Sequence, residues 1–225
     1  MISKMKKNFI LTTIVGSRLH GTATPESDED IRGVFMVSPI EIISPFRTVK
    51  DSHWVEGENT DATAYELCKF LKMCAQGNPS SLEVLVGLPK TTTPLGEDLK
   101  KLLPKFLSKR CFHAFLGYSK NQEKKFRDHD GIRDNRKYKY ACAHVRTLYQ
   151  LLHLLKTGEL IGQYSGGVLE ELVQIKNGLK SDSDIFSRIF QLEEHCKEEF
   201  EKCSLPENAD ITEVEKFLAA AYGIG

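Results

Sequence analysis

Two apolar runs rich in β-branched residues, Phe9–Val15 and Ile31–Val37, are separated by only fifteen residues. Each reads as a buried strand, the first extending over Asn8–Val15. The link between them opens on Gly16-Ser17 and closes on Asp28-Glu29-Asp30. Gly16 lets the chain turn sharply as the first strand ends, and Ser17 offers a hydroxyl and a backbone N–H at the start of the next element. Such a strand–Gly-Ser–helix turn can hold a phosphate, because unpaired amides face the anion. In extended chain, residues two apart share a face, so Asp28 and Asp30 stand side by side with Glu29 turned away. Carboxylates that close repel unless a cation lies between them, and their hard oxygens suit Mg²⁺ or Mn²⁺. Arg32 continues the same face and can pair with the carboxylates or with phosphate. The segment is not a Walker A loop, an EF-hand or a G-x-S-x-G elbow.

Up to about residue 95 the chain mixes strand and turn signals. A third strand is expected over Asp61–Tyr65. A helix follows over Glu66–Gln76, with Leu67, Phe70, Leu71 and Cys74 at helical spacing, ending at Gly77-Asn78-Pro79. Ser80–Val86 reads as a further helix, with Ser80 as N-cap and Glu83 completing a capping box. Trp54, the single tryptophan, sits beside His53 in what reads as a polar loop and is expected to anchor it. After Pro94 amphipathic helices dominate, over roughly 95–107, 111–127, 138–157, 167–177, 184–203 and 211–222, with breaks at Pro104, Asp128–Asp134, Gly158, Gly166-Gly167, Gly178 and Pro206. The class is α+β, with a strand-containing domain over 1–95 and a helical domain over 96–225.

No window approaches the roughly 20 apolar residues that span a bilayer, so no membrane association is expected. Lys4, Lys6 and Lys7 before Phe9–Val15 resemble a short signal peptide, but no A-x-A site follows. The six cysteines, Cys68, Cys74, Cys111, Cys142, Cys196 and Cys203, form no C-x-x-C pair and no zinc-finger spacing with the neighbouring histidines. They read as reduced thiols, which points to a cytoplasmic protein. The 31 basic and 31 acidic residues cancel, yet Lys100–Arg146 holds 14 basic and 4 acidic residues, a local +10. A basic segment flanked by acidic ones is consistent with a polyanion site, although solvated basic helix faces would give the same run.

The stretch Gly16-Ser17…Gly21…Pro25…Ser27-Asp28-Glu29-Asp30-Ile31-Arg32-Gly33-Val34-Phe35 resembles the DNA polymerase β-like nucleotidyltransferase superfamily. More narrowly, it is similar to the nucleotidyltransferases associated with RNA ligases and RNA repair. The likeness continues through Asp61…Tyr65-Glu66…Lys69-Phe70…Gly77-Asn78-Pro79…Leu82-Glu83, and more weakly through Gly117-Tyr118, Lys139…His144…Arg146 and Thr157-Gly158-Glu159.

The resemblance implies a polymerase β-like catalytic domain, a mixed sheet with helices, over 1–95, and a helical domain over 96–225 that completes the nucleotide and acceptor site. It implies Asp28 and Asp30 as the metal-binding pair for two Mg²⁺ or Mn²⁺ ions, with Asp61 as the third carboxylate and Glu66 as its competitor. Gly16 and Ser17 match the turn that holds the nucleotide's β and γ phosphates, with Arg18, Arg32, Lys139 and Arg146 as further nucleotide contacts and His20 and His144 as additional candidates. Lys139 and Arg146, seven apart on a helix, share a face with the small residues Cys142 and Ala143 between them. His144 lies off that stripe and reads as a packing histidine. The implied reaction moves an NMP from an NTP, such as ATP, to an acceptor hydroxyl with release of pyrophosphate. The implied acceptor is an RNA, in a repair setting shared with an RNA ligase. A small-molecule or protein adenylyltransferase and a catalytically inactive RNA-binding homologue are the competing readings.

Overall fold

The first apolar run forms β1 (Asn8–Val15), and its central place in the sheet fits its burial. It lies between β2 (Glu29–Met36) and β5 (Leu88–Thr92), in a five-stranded sheet of order β3-β4-β2-β1-β5 with β3 (Ser52–Trp54) and β4 (Thr60–Glu66). A strand covered on both faces reads as an unbroken hydrophobic run, and Ile10, Leu11, Thr12, Thr13 and Val15 are all buried. The computed structural model describes residues 8–46, 48–49, 52–54, 60–129 and 136–224, with backbone alone at 52–54, 60 and 61. The lysines before Phe9 and most of the Asp128–Asp134 loop lie outside the described residues, as does the side chain of Trp54.

Pairing is antiparallel except between β2 and β4, which run parallel. Two strands depart from the sequence reading. β3 runs through the stretch expected as a polar loop, with Trp54 registered against Ala62. β5 lies in a segment read as linker. It is exposed beyond Leu88 and carries Pro89, which a central strand would not tolerate but an edge strand does. Thr12 and Thr91 join it to β1 through a 2.6 Å hydroxyl pair.

The helices are α1 (Gly16–His20), α2 (Pro39–Ile43), α3 (Leu67–Ala75), α4 (Pro79–Val86), α5 (Pro94–Lys101), α6 (Leu103–Phe106), α7 (Arg110–Asp128), α8 (Arg136–Thr157), α9 (Gly166–Lys176), α10 (Asp182–Lys202) and α11 (Ile211–Tyr222). Leu67, Phe70, Leu71 and Cys74 form the buried face of α3, as their spacing requires. The cap of α4 differs from expectation. Asn78, not Ser80, is its N-cap, accepting from Ser81 N, and Pro79 takes the first helical position, where its missing N–H costs nothing. Glu83 is therefore not a capping residue. The helix expected over 95–107 is two pieces, α5 and α6, because Pro104 cannot donate within a continuous helix.

One apolar cluster joins Ile10, Leu11, Val34, Phe70 and Leu82 from the first 95 residues to Phe106, Phe115, Leu151, Cys196 and Val214 beyond them. A second, around Phe126, Val145, Leu148, Leu172, Ile185 and Leu192, holds α7 to α10 together. α8 contributes to both, with Val145 and Leu148 on one side and Leu151, Leu154 and Leu155 on the other. All six cysteines are free. Among the described residues, no helix is long and apolar enough to cross a membrane.

Candidate active site

The sharp turn after β1 is made by Gly16, whose φ of 65° is left-handed. Its Cα lies hard against Asp30. A Cβ there would sit 2.2 Å from the Asp30 carboxylate oxygen Oδ2, so the position admits glycine alone without moving the aspartate. Asp30 is held by two registers. It pairs with Val15 at the end of β1 and with Asp61 at the start of β4. The backbone therefore aligns Asp61 with Asp30 on adjacent strands; the Asp61 side chain lies outside the described residues. Glu29 is turned aside to Lys90 on β5, at 2.6 Å.

This turn opens into a cleft of about 430 Å³. The N-terminal segment contributes Gly16, Ser17, His20, Thr22, Thr24, Glu26, Ser27, Asp28 and Asp30. α8 contributes Lys139, Cys142, Ala143 and Arg146, and the end of α9 contributes Lys176 and Asn177. The cleft thus gathers three carboxylates, of Glu26, Asp28 and Asp30, at one end of the sheet and cations from two helices more than a hundred residues further along the chain. The donor set fits a divalent cation of the Mg²⁺ kind: two aspartates supply hard oxygens, and the glycine beside Asp30 leaves its carboxylate clear of side-chain bulk.

Arg18 and Arg32 do not line the cleft. Arg18 donates from Nη2 to the carbonyl of Ser27 at 2.8 Å, and with the Thr24 N to Ser27 Oγ bond of 2.8 Å it fixes the loop that delivers Asp28. Arg32 donates to its neighbour's carbonyl, at Ile31, and its charge reaches Glu83. Lys176 was not legible in the sequence, where it is one lysine in the last turn of a helix. Its Nζ donates to the Thr22 carbonyl at 2.7 Å, which docks α9 on the loop after α1. Burial lowers its pKa, with the nearby Lys139 adding to that effect while Cys142 and Asp30 oppose it.

Behind the cleft lies a buried ionic cluster that local pattern also missed. Glu83 on α4 receives His20 Nε2 at 2.5 Å and Arg146 Nη1 at 3.1 Å. His20 is almost fully buried, and its Nδ1 faces the Gly162 carbonyl at 2.7 Å. Burial lowers its pKa, helped by Arg146 and opposed by Glu83. Burial would raise the Glu83 carboxyl, but Arg146, then His20 and Arg32, bring it down to about 2. The Arg146 carbonyl in turn accepts from the Tyr164 hydroxyl at 3.0 Å. Arg146 therefore lines the cleft with a charge that already has a buried partner.

Two further sequence candidates stand elsewhere. Glu66 is the N-cap of α3, accepting from Cys68 N at 2.9 Å and Lys69 N at 3.1 Å, and Tyr222 on α11 donates to it at 3.2 Å. It lies at the opposite end of β4 from Asp61, about 16 Å along the strand, and is not among the cleft residues. His144 is fully buried on another face of α8 and does not reach the cleft.

A mixed sheet whose first turn and second strand bring Gly16-Ser17 and Asp28/Asp30 into one cleft, completed by helices, places the chain among polymerase β-like nucleotidyltransferases. More narrowly, it belongs to the RlaP family, the RNA repair pathway DNA polymerase beta family, whose profile matches residues 2–217. It is 27% identical over 128 residues to an uncharacterized 38.9 kDa protein encoded in the nrdC-mobD intergenic region of Enterobacteria phage T4. That match covers 52% of this chain and 38% of the phage protein, so the chain accounts for well under half of that relative. A nucleotidyltransferase-like protein from Exiguobacterium sibiricum, solved by crystallography, aligns over 89% of this chain and 70% of its own at 12% identity and a TM-score of 0.31.

Proposed function

We propose that the chain is a metal-dependent nucleotidyltransferase that moves an NMP from an NTP to a hydroxyl of an RNA, in an RNA-repair setting shared with an RNA ligase. The observation that carries this reading is the cleft itself. Carboxylates of Asp28 and Asp30 face the same space as Lys139 and Lys176, the arrangement needed to place a triphosphate between metal ligands and cations. Two Mg²⁺ or Mn²⁺ ions, held by Asp28, Asp30 and Asp61, would lower the pKa of the acceptor hydroxyl and neutralise the leaving pyrophosphate.

The chain's own residues supply position and charge. Ser17 and the Gly16 turn hold the β and γ phosphates, and Lys139 and Lys176 take up the negative charge that accumulates on pyrophosphate. Arg146 sets the depth of the cleft floor and, being neutralised by Glu83, adds little net charge of its own. In the transfer, the acceptor oxygen bonds to the α-phosphorus and the bond to pyrophosphate breaks. The hydroxyl proton leaves to the carboxylate set, where Asp61 is the preferred acceptor over Glu66. The six free cysteines fit a cytoplasmic protein.

The RNA acceptor is favoured by a groove of about 620 Å³ on α7 and α8, lined by Tyr118, Asn121, Gln122, Lys124, Lys125, Asp128, His129 and Tyr140. Lys125 lies 5.6 Å from the Tyr140 ring centroid, and His129 lies 6.0 Å from it. Cations interleaved with aromatic rings bind single-stranded nucleic acid by charge and stacking. Tyr118, which lines this groove, lies within reach of the charges of Arg146 and Glu83.

The test is a panel of four labelled NTPs with Mg²⁺ against tRNA, short RNA and single-stranded DNA, with Asp28→Asn/Asp30→Asn as control. Labelled RNA should form with the native chain and not with the double variant, whose circular dichroism should be unchanged. Label entering a protein or small molecule instead would overturn the acceptor assignment. Metal-dependent transfer by the double variant would overturn the site.

A further inference from the structure

On the far side of α8 from the cleft, three helices meet at Glu123 of α7, His144 of α8 and Glu193 of α10. His144 is fully buried, and neither of its ring nitrogens has a hydrogen-bond partner. The Oε1 of Glu193 is likewise buried and unpartnered. His144 Nε2 points towards that oxygen at 4.0 Å. One ligand atom from each of the three residues lies within 4.8 Å of the other two. A buried imidazole and carboxylate left without partners are costly, and they sit here beside a second carboxylate.

The neighbouring side-chain cations do not fill the gap. Arg127 donates to Glu123 from Nε at 2.8 Å and Nη2 at 2.5 Å, both to Oε1, which leaves Oε2 clear of the guanidinium. Lys197 is ion-paired with Glu194 at 2.7 Å and, like Lys120, reaches Glu193 through its charge without a hydrogen bond to it.

We propose that Glu123, His144 and Glu193 form a binding site for one borderline divalent cation of the Zn²⁺ class, clamping α7, α8 and α10. The ligand chemistry selects it. One imidazole nitrogen with two carboxylate oxygens suits Zn²⁺, whereas Mg²⁺ prefers an all-oxygen octahedron and copper(I) prefers sulfur. Donors about 2.1 Å from a tetrahedral ion lie about 3.4 Å apart. Glu193 must therefore close its 4.0 Å separation by only about half an ångström, within reach of a side chain that is 21% exposed. Three protein ligands leave the fourth position to water. The site is distinct from the Asp28/Asp30 cleft and does not depend on the reaction proposed there. Its effect is to fix the helix that carries Lys139 into the cleft.

The full chain, stripped with a chelator and desalted, is titrated calorimetrically with Zn²⁺ alone, and its melting is followed in parallel. The variants are Asp28→Asn/Asp30→Asn alone and the same double variant carrying Glu193→Gln or Glu123→Gln, so that no Zn²⁺ is held in the cleft; Glu123→Gln sits at a 23% exposed position and guards against a folding failure in Glu193→Gln. The cleft double variant should still bind one Zn²⁺ per chain and gain roughly 5–10 °C in Tm. Either glutamine variant should lose at least about a hundredfold in affinity, and with it the gain in Tm. No stoichiometric Zn²⁺ in the cleft double variant would overturn the proposal, as would unchanged affinity in a folded Glu193→Gln or Glu123→Gln chain.

Discussion

Replacing Glu83 with glutamine should destabilise the chain in a way that fades as the pH falls. The carboxyl is 14% exposed and lies between His20 and Arg146. It ionises near 2 against an ordinary 4.5. A carboxyl held ionised over that interval contributes on the order of 3 kcal/mol at pH 7. Because the folded pKa is the lower one, the contribution is complete above about pH 4.5, shrinks to about 1 kcal/mol at pH 3, and is gone below about pH 2. Removing one partner from a buried ion pair costs a similar amount, since Arg146 keeps a charge with no counterion. Urea unfolding of native and Glu83→Gln protein, compared at pH 7 and pH 3, reads the difference directly. At pH 7 the variant should lie on the order of 3 kcal/mol below the native chain, with a Tm roughly 10 °C lower, and at pH 3 the gap should narrow to about 1 kcal/mol. A gap of the same size at both pH values would refute the ionic account, and a variant as stable as the native chain at pH 7 would show that the cluster contributes nothing.

Gly16→Ala should lower transfer at least about a hundredfold with little loss of secondary structure, because its Cβ would displace the Asp30 carboxylate it would otherwise meet at 2.2 Å. Steady-state kinetics with circular dichroism decides it, and near-normal kcat would contradict the cradle. Lys176→Met should raise the KM for NTP about tenfold while changing kcat less, since it removes one cation from the cleft without touching the carboxylates. Glu66→Gln should retain transfer and lose about 1 kcal/mol of stability, as expected for a weakened N-cap; loss of activity at unchanged stability would return Glu66 to the carboxylate set.

The parts of this molecule legible in the sequence are those written locally. The run Phe9–Val15, the Gly16-Ser17 turn and the Asp28/Asp30 alternation each depend on residues a few positions apart, and the structure assembles them as one corner of the cleft. The stripe Lys139, Cys142, Ala143 and Arg146 follows from helical period alone and does line the cleft. Glu83 shows where this stops. Three residues after Ser80 it fits a capping box, and nothing nearby signals that its partners lie 63 positions away in both directions. Lys176 is invisible for the same reason, since it meets Thr22 across 154 residues. β5 escaped notice because an exposed edge strand needs neither apolar alternation nor freedom from proline. Gly77-Asn78-Pro79 reads as one helix stop, yet the same tripeptide ends α3 and starts α4.

The cleft is divided along the chain, with Asp28 and Asp30 in its first part and its last cation at residue 176. During synthesis the acidic half therefore emerges long before the basic half. Until α8 leaves the ribosome, Glu83 can pair with His20 but not with Arg146, and the carboxylates of the cleft lack the cations of α8 and α9. The cations that face those carboxylates arrive only when α8 and α9 pack back onto the N-terminal segment.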